Sequence, residues 1–181
     1  GPLAGPVVAA AVFLPAGSEG CGAEDSKRLT AVQREQLAEE IVKVAHAVGI
    51  GAASATEVDR LNIRKATAVA MQRALQRLSV TPQHILVDGL PVPELGLEWQ
   101  TAVVGGDAAV HSIACASILA KVCRDRLMER LAARYPVYGW ERNKGYATEE
   151  HREALHQHGP SPHHRRTFQT VEQLTLLPVP T

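Results

Sequence analysis

Residues 84–93, HILVDGLPVP, decide the fold, together with their echo in residues 99–110, WQTAVVGGDAAV. Each holds a short apolar run ending on an aspartate beside glycine. Ile85–Val87 leads into Asp88 and Gly89, and Thr101–Val104 leads into Gly105, Gly106 and Asp107. Apolar runs of this length bounded by glycine read as short buried strands. A sheet of such strands needs helices to cover it, and the flanking sequence provides them.

Upstream, Val7–Leu14 (VVAAAVFL) is an unbroken apolar run between Pro6 and Pro15 and fits a strand buried on both faces. Thr30 followed by Gln33 predicts a capping box that opens a helix, with Leu37, Ile41, Val44 and Val48 at helical spacing. GIGAASATEVDRLNI predicts a short strand or turn leading into a second helix, with Ala66, Val69, Ala70, Ala74 and Leu78 on one face. Downstream, residues 111–135 predict the longest helix. Its expected apolar stripe is Ala116, Leu119, Ala120, Cys123, Leu127 and Leu131, and Pro136 ends it. The remainder predicts a loop, a short helix opening near Thr148–Glu150, and a basic, histidine-rich segment. LLPVPT at the end reads as a loose tail. Strands alternating with helices give an α/β class, and the absence of repeats or linker-like composition gives one domain over residues 1–181.

The 181 residues are 45% hydrophobic and 21% charged, enough for a substantial core. No apolar run approaches the ~20 residues that span a bilayer, and the apolar start lacks the basic lead of a secretory signal. Three cysteines without a close pair (Cys21, Cys115, Cys123) suit a reducing, cytoplasmic compartment and read as small buried hydrophobes. Formal net charge is zero, yet residues 121–166 carry ten Lys and Arg against six Asp and Glu. That imbalance fits either a phosphate-facing surface or a solvated helical one.

Side chains at strand ends leave the core while their backbone stays fixed, so sites collect there. Asp88 and Asp107 therefore admit two readings. They form half of a site for a hard divalent cation, or each satisfies the amides of its own turn.

Seven stretches, in order, resemble ribonuclease HII, the type 2 ribonuclease H. They are GPLAGPVVAAAV, DSKRLT, EVDRLNI with the following AT and AM, ILVDG, GD with SIACASILAKVCRDRLM, NKGYAT with its H, and GPSPHHRRTF. The resemblance runs from Gly1 to Phe168. It implies a ribonuclease H-like mixed sheet flanked by helices, the core over about residues 1–134, with a C-terminal helical region and tail over about 135–181. It implies an endonuclease that cuts the RNA strand of RNA–DNA hybrids and incises at ribonucleotides embedded in duplex DNA. The implied mechanism is two-metal-ion hydrolysis with Mg²⁺ or Mn²⁺.

By residue match, Asp88 and Asp107 are two of four carboxylates that hold the metals. The other two are an adjacent Asp-Glu pair in a D-E-x-G-R-G lead whose final glycine matches Gly1, so the resemblance puts them ahead of Gly1. The expectation is that a chain without them positions two ions poorly, which leaves a hybrid-binding fragment impaired in catalysis as the alternative. The resemblance also assigns Gly1 and Tyr146 to reading the ribonucleotide, where the 2′-OH separates RNA from DNA. Ser26, Lys27 and Lys144 are the candidates for phosphate contacts.

Other residues stay ambiguous. Arg165 and Arg166 either touch phosphates, or cap the last helix and pair with acids. Asp125, between two arginines, reads as a helical ion-pair partner. His163-His164 reads as non-ligating, since adjacent side chains diverge. Gly105 stands where relatives often have lysine. No clear clamp-binding motif appears in VEQLTLLPVPT, monomer is the default state, and a small-molecule α/β enzyme is disfavoured because no strand leads into G-x-G-x-x-G.

Overall fold

A computed structural model describes residues 1–18 and 29–176, with side chains to residue 173. The chain is mixed α/β: β1 (Val7–Phe13), α1 (Ala31–Val44), β2 (Ala47–Ala53), α2 (Ala55–Leu61), α3 (Ile63–Gln76), β3 (Ile85–Asp88), β4 (Gln100–Val103), α4 (Gly106–Ala109), α5 (His111–Arg134), α6 (Trp140–Asn143), α7 (Glu149–His158) and α8 (Gln169–Leu176). It divides into two compact units. A sheet unit takes residues 8–52 and 67–122, and a terminal unit takes Gly1–Val7, Ala53–Ala66 and Cys123–Thr181. Among the described residues no helix is long and apolar enough to cross a membrane.

In the sheet unit β1 pairs with β2, and β3 pairs in parallel with β4. The apolar run of β1 is not sealed on both faces as expected. Ala9 is its one buried residue and Phe13 lies exposed, because the strand's small alanines leave a shallow surface rather than interlocking side chains. The Thr30 hydroxyl accepts from the Gln33 amide and the Gln33 side chain accepts from the Thr30 amide, so α1 starts with the expected reciprocal cap. Leu37, Ala38 and Ile41 of α1 pack on Ala114, Cys115, Ile118, Leu119 and Val122 of α5. Each large aliphatic side chain buried there contributes about 1.5–3 kcal/mol before entropy is subtracted.

The helical spacing read through Val44 and Val48 overshoots. Val44 is exposed at the helix end, the chain turns at Ala45, and Val48 belongs to β2. Every second residue of β2 is buried, and two of these are glycines. A Cβ on Gly49 would lie 2.0 Å from the Ala74 carbonyl oxygen, and one on Gly51 2.0 Å from that of Ala70. Strand backbone thus lies directly on helix backbone, and Ala66, Ala70 and Ala74 are buried along α3 as the spacing predicts. Arg73 and Arg77 donate to the Ala52 and Ile50 carbonyls, tying helix to strand.

In the terminal unit, Ala4, Met128, Ala132, Tyr138, Trp140 and Ala154 form one cluster, and Leu3, Leu155 and Val171 another. The expected stripe on α5 is displaced around the helix. Of its six residues Leu119 alone is buried, while Ile118, Val122 and Met128 take the core positions. The helix carries apolar residues on more than one face, so periodicity alone does not choose between them. Cys115 is fully buried, as expected of a small hydrophobe; Cys123 is half-buried, and burial raises its thiol pKa. Cys21 lies outside the described residues.

Candidate functional site

Asp88 and Asp107 are brought together by the β3–β4 pair. The register sets Asp88 opposite Val103, and the Gly89 amide donates to the Val103 carbonyl at 2.9 Å, so both strands end level. The chain then turns through Gly105 at φ +68°, a left-handed conformation that suits glycine and would strain a lysine there. Gly106 follows, buried, and opens the one-turn helix α4 with Asp107 in its first turn. A Cβ on Gly106 would lie 3.3 Å from Asp88 Oδ1. That close approach places the Asp88 carboxylate against the backbone that carries Asp107.

Asp88 is exposed and Asp107 half-exposed. Two hard-oxygen carboxylates at parallel strand ends, open to solvent, fit a divalent cation such as Mg²⁺ or Mn²⁺. Among the described residues no group of three or more His, Cys, Asp or Glu gathers into a metal site.

Gly1, Lys144 and Tyr146 fall in the terminal unit. Gly1 is exposed near the ring of Phe168. Lys144 sits at φ +50°, and its ammonium is bound to Glu129 at 2.6 Å, so a phosphate contact would have to displace that pair. The Tyr146 side chain is 45% exposed. Below it the turn is fixed from several directions. Asn143 donates its amide to the Tyr138 carbonyl and accepts from the Gly145 amide, while the Tyr146 amide donates to the Asn143 carbonyl. The Leu3 amide donates to the Gly145 carbonyl at 2.7 Å, joining this turn to the GPLAGP segment. Gly145 has φ +84°, and a Cβ there would lie 2.6 Å from the Ala4 carbonyl oxygen. Only glycine fits.

Sequence reasoning missed the groups that hold these two segments together. Arg124 is buried, and its guanidinium donates to the carbonyls of Ala4, Pro6 and Lys144 at 3.0–3.2 Å while lying 5.6 Å from the Tyr146 ring centre. Arg165 is also buried; it donates to Gly5 and Pro6 and lies over Phe168. Neither expectation for Arg165, phosphate contact or helix cap, describes that role. Burial lowers the pKa of both, Arg165 to about 10 with Arg124 as the second cause, and both stay charged at neutral pH. Their charges are met by backbone dipoles, which is how a buried guanidinium becomes tolerable.

Asp59 was missed too. It accepts from the Arg166 and Thr167 amides and the Thr167 hydroxyl. His164 is buried against His151, and His163 packs edge-on to Tyr135, in keeping with a non-ligating pair. Ser26 and Lys27 lie outside the described residues.

A family model described as Ribonuclease HII matches residues 1–171. The ribonuclease HII of Synechococcus sp. (strain JA-3-3Ab) is 56% identical over 177 residues, covering 96% of this chain and 79% of that protein. Among solved structures, the ribonuclease H2 from Pyrococcus horikoshii OT3 superposes with TM-score 0.82 at 28% identity, covering 97% of this chain and 92% of that one. The ribonuclease HII of Archaeoglobus fulgidus, solved in complex with PCNA, gives 0.78 at 28% identity, covering 99% and 94%.

Proposed function

The chain belongs to the ribonuclease HII family of endoribonucleases, and on that premise we propose that it hydrolyses the RNA strand of RNA–DNA hybrids and incises at ribonucleotides embedded in duplex DNA. The observation that carries the site is the Asp88–Gly106 contact, 3.3 Å from carboxylate oxygen to the place of a missing Cβ, at the ends of two parallel strands. Asp88 and Asp107 hold divalent cations there, Mg²⁺ or Mn²⁺. Bound divalent cations supply a water made nucleophilic near neutral pH and charge opposite the departing oxygen.

The chain's own residues divide the remaining work. Asp88 and Asp107 supply anionic oxygens on fixed backbone, so little reorganisation accompanies binding. Tyr146 offers a ring and a hydroxyl from a turn that Arg124 and Asn143 lock, suited to packing on a sugar and sensing its 2′-OH. Gly1 is proposed, with Tyr146, to read the ribonucleotide, and Ser26, Lys27 and Lys144 are proposed as phosphate contacts, which set register without reading sequence. A sliding clamp is a proposed partner as well, since the Archaeoglobus fulgidus neighbour was solved with PCNA.

A duplex with one embedded ribonucleotide tests the reading in the full-length protein. Cleavage on the 5′ or 3′ side of that residue with Mg²⁺ or Mn²⁺ is expected, and none on an all-DNA duplex. Asp88→Asn should retain hybrid binding and lose cleavage. Unchanged cleavage in that variant would remove Asp88 from the site.

A further inference from the structure

Beneath Tyr146 lies a chain of buried hydrogen bonds that the proposed chemistry does not use. His151 Nδ1 is 2.8 Å from the Tyr146 carbonyl oxygen, and His151 Nε2 is 3.1 Å from Trp140 Nε1 and 3.0 Å from His164 Nε2. His164 Nδ1 is 2.9 Å from the Ser161 amide nitrogen and 3.0 Å from its hydroxyl. His151, Trp140 and His164 are each at most 1% exposed.

The proton positions follow from chemistry. A carbonyl only accepts, so His151 carries its proton on Nδ1. An indole N–H only donates, so His151 Nε2 must be a bare lone pair. A backbone amide only donates, so His164 Nδ1 is bare and its proton sits on Nε2, facing His151. One arrangement is consistent with every contact, the single lone pair of each bare nitrogen shared between two donors, and in it both rings are neutral. Protonating either ring would set N–H against N–H or against an amide hydrogen. Burial pulls both histidines down, His164 to about 3. Tyr138, edge-on to the His164 ring at 4.7 Å and stacked on Trp140 at 5.0 Å, holds the ring planes.

We propose that His151 is a positioning residue for Tyr146, fixing the carbonyl of that residue through a tautomer that His164 and Trp140 enforce. The Thr148 amide also donates to the Tyr146 carbonyl, at 2.9 Å, so His151 supplies the second of two donors and completes the acceptor's capacity. With the amide of Tyr146 held by Asn143 and its ring beside Arg124, the His151 bond closes the last free direction of the turn. The inference rests on Tyr146 facing the sugar of a hybrid substrate.

The test measures binding of the full-length protein to a fluorescent RNA–DNA hybrid and to DNA of the same sequence, with Ca²⁺ in place of Mg²⁺. Asparagine at 151 puts its amide near the place of Nδ1 and keeps the donor, whereas glutamine puts its amide near Nε2 and loses it. His151→Gln should lower the hybrid-over-DNA preference about five- to tenfold, the worth of one hydrogen bond. His151→Asn should stay within about twofold of the natural protein, and Tyr146→Ala sets the full loss. Natural preference in a folded His151→Gln protein would overturn the positioning role while leaving Tyr146's role intact. No loss in Tyr146→Ala would instead remove the sugar-facing reading, and the positioning role with it. Should the glutamine variant not fold, ¹⁵N shifts of the natural protein decide. They should show Nδ1–H on His151 and Nε2–H on His164 from pH 8 to pH 5, and the opposite tautomer or a protonated ring refutes the relay.

Discussion

At the ends of β3 and β4 two carboxylates are open to solvent, Asp88 at the strand end and Asp107 in the first turn of α4, whereas around Lys144–Tyr146 the backbone polar groups are taken up by Arg124, Asn143 and His151. The contrast fits what each region is proposed to meet. Carboxylates that await a cation repel one another, and burying them would cost several kcal/mol each before the ion arrived. Exposure avoids that cost, and the glycine contact at Gly106 sets the Asp88 carboxylate against the backbone that carries Asp107. A turn that is to distinguish one hydroxyl from none gains little from charge. It depends on being in place beforehand, which is what Arg124, Asn143, His151 and the positive φ of Gly145 accomplish. The first region should therefore respond to mutation in cleavage, and the second in stability and hybrid preference.

The largest expected effect tests the first half of that statement. Asp88→Asn should lower cleavage by more than about 100-fold, as loss of a ligand exceeds loss of a group behind one. Its melting temperature without metal should match the natural protein, and added Mn²⁺ should raise the natural value more than the variant's. A large drop in metal-free stability would show that Asp88 has a structural duty. Next comes the seam between β2 and α3. Gly51→Ala drives a methyl into the Ala70 carbonyl, with an expected loss of about 3 kcal/mol, the upper end of overpacking, read from a urea midpoint.

In the second region, Arg124→Ala strips the donors from three carbonyls and should cost about 2 kcal/mol, with hybrid preference falling alongside. If stability falls and preference does not, Arg124 supports the fold and not the reading of sugar. The last effect, the smallest near neutral pH, is graded by pH. The folded pKa of His164 is depressed to about 3 from an ordinary value near 6.5. Between those values the unfolded chain binds a proton that the folded chain excludes. Stability is thus fully present above pH 6.5 and declines as pH falls toward 3, by up to about 1.4 kcal/mol per pH unit for that proton. His151, His163 and Arg166 face His164 and deepen the effect, while Glu150 lies near His151. His164→Asn should flatten the slope, which urea midpoints across that range measure.

Sequence made the strand ends legible because an aspartate beside glycine after an apolar run is a local pattern. The Thr30–Gln33 cap was legible for the same reason. The held turn was not. Arg124 lies within the charged run CRDRLMER, and nothing local marks it as the one that turns inward to carbonyls 120 and 118 residues away in the chain. His151 and His164 look like members of a basic segment until folding pairs them. The buried face of α5 was misread because several of its faces are apolar, and its packing partners, α1 along Ala114–Val122 and the Ala4–Trp140 cluster at Met128, select the buried residues. Patterns within a few residues survive in sequence; selection by distant partners does not.

The seam between β2 and α3 has one more consequence. Where Gly49 and Gly51 lie on Ala74 and Ala70, the contact itself is between main chain and methyl groups, with Arg73 and Arg77 bonded across it. Such a contact, apart from those two arginines, has few rotamers to freeze on folding or to loosen on warming. Its amide protons should be among the slowest in the molecule to exchange with solvent. Durability there comes from having little left to disorder.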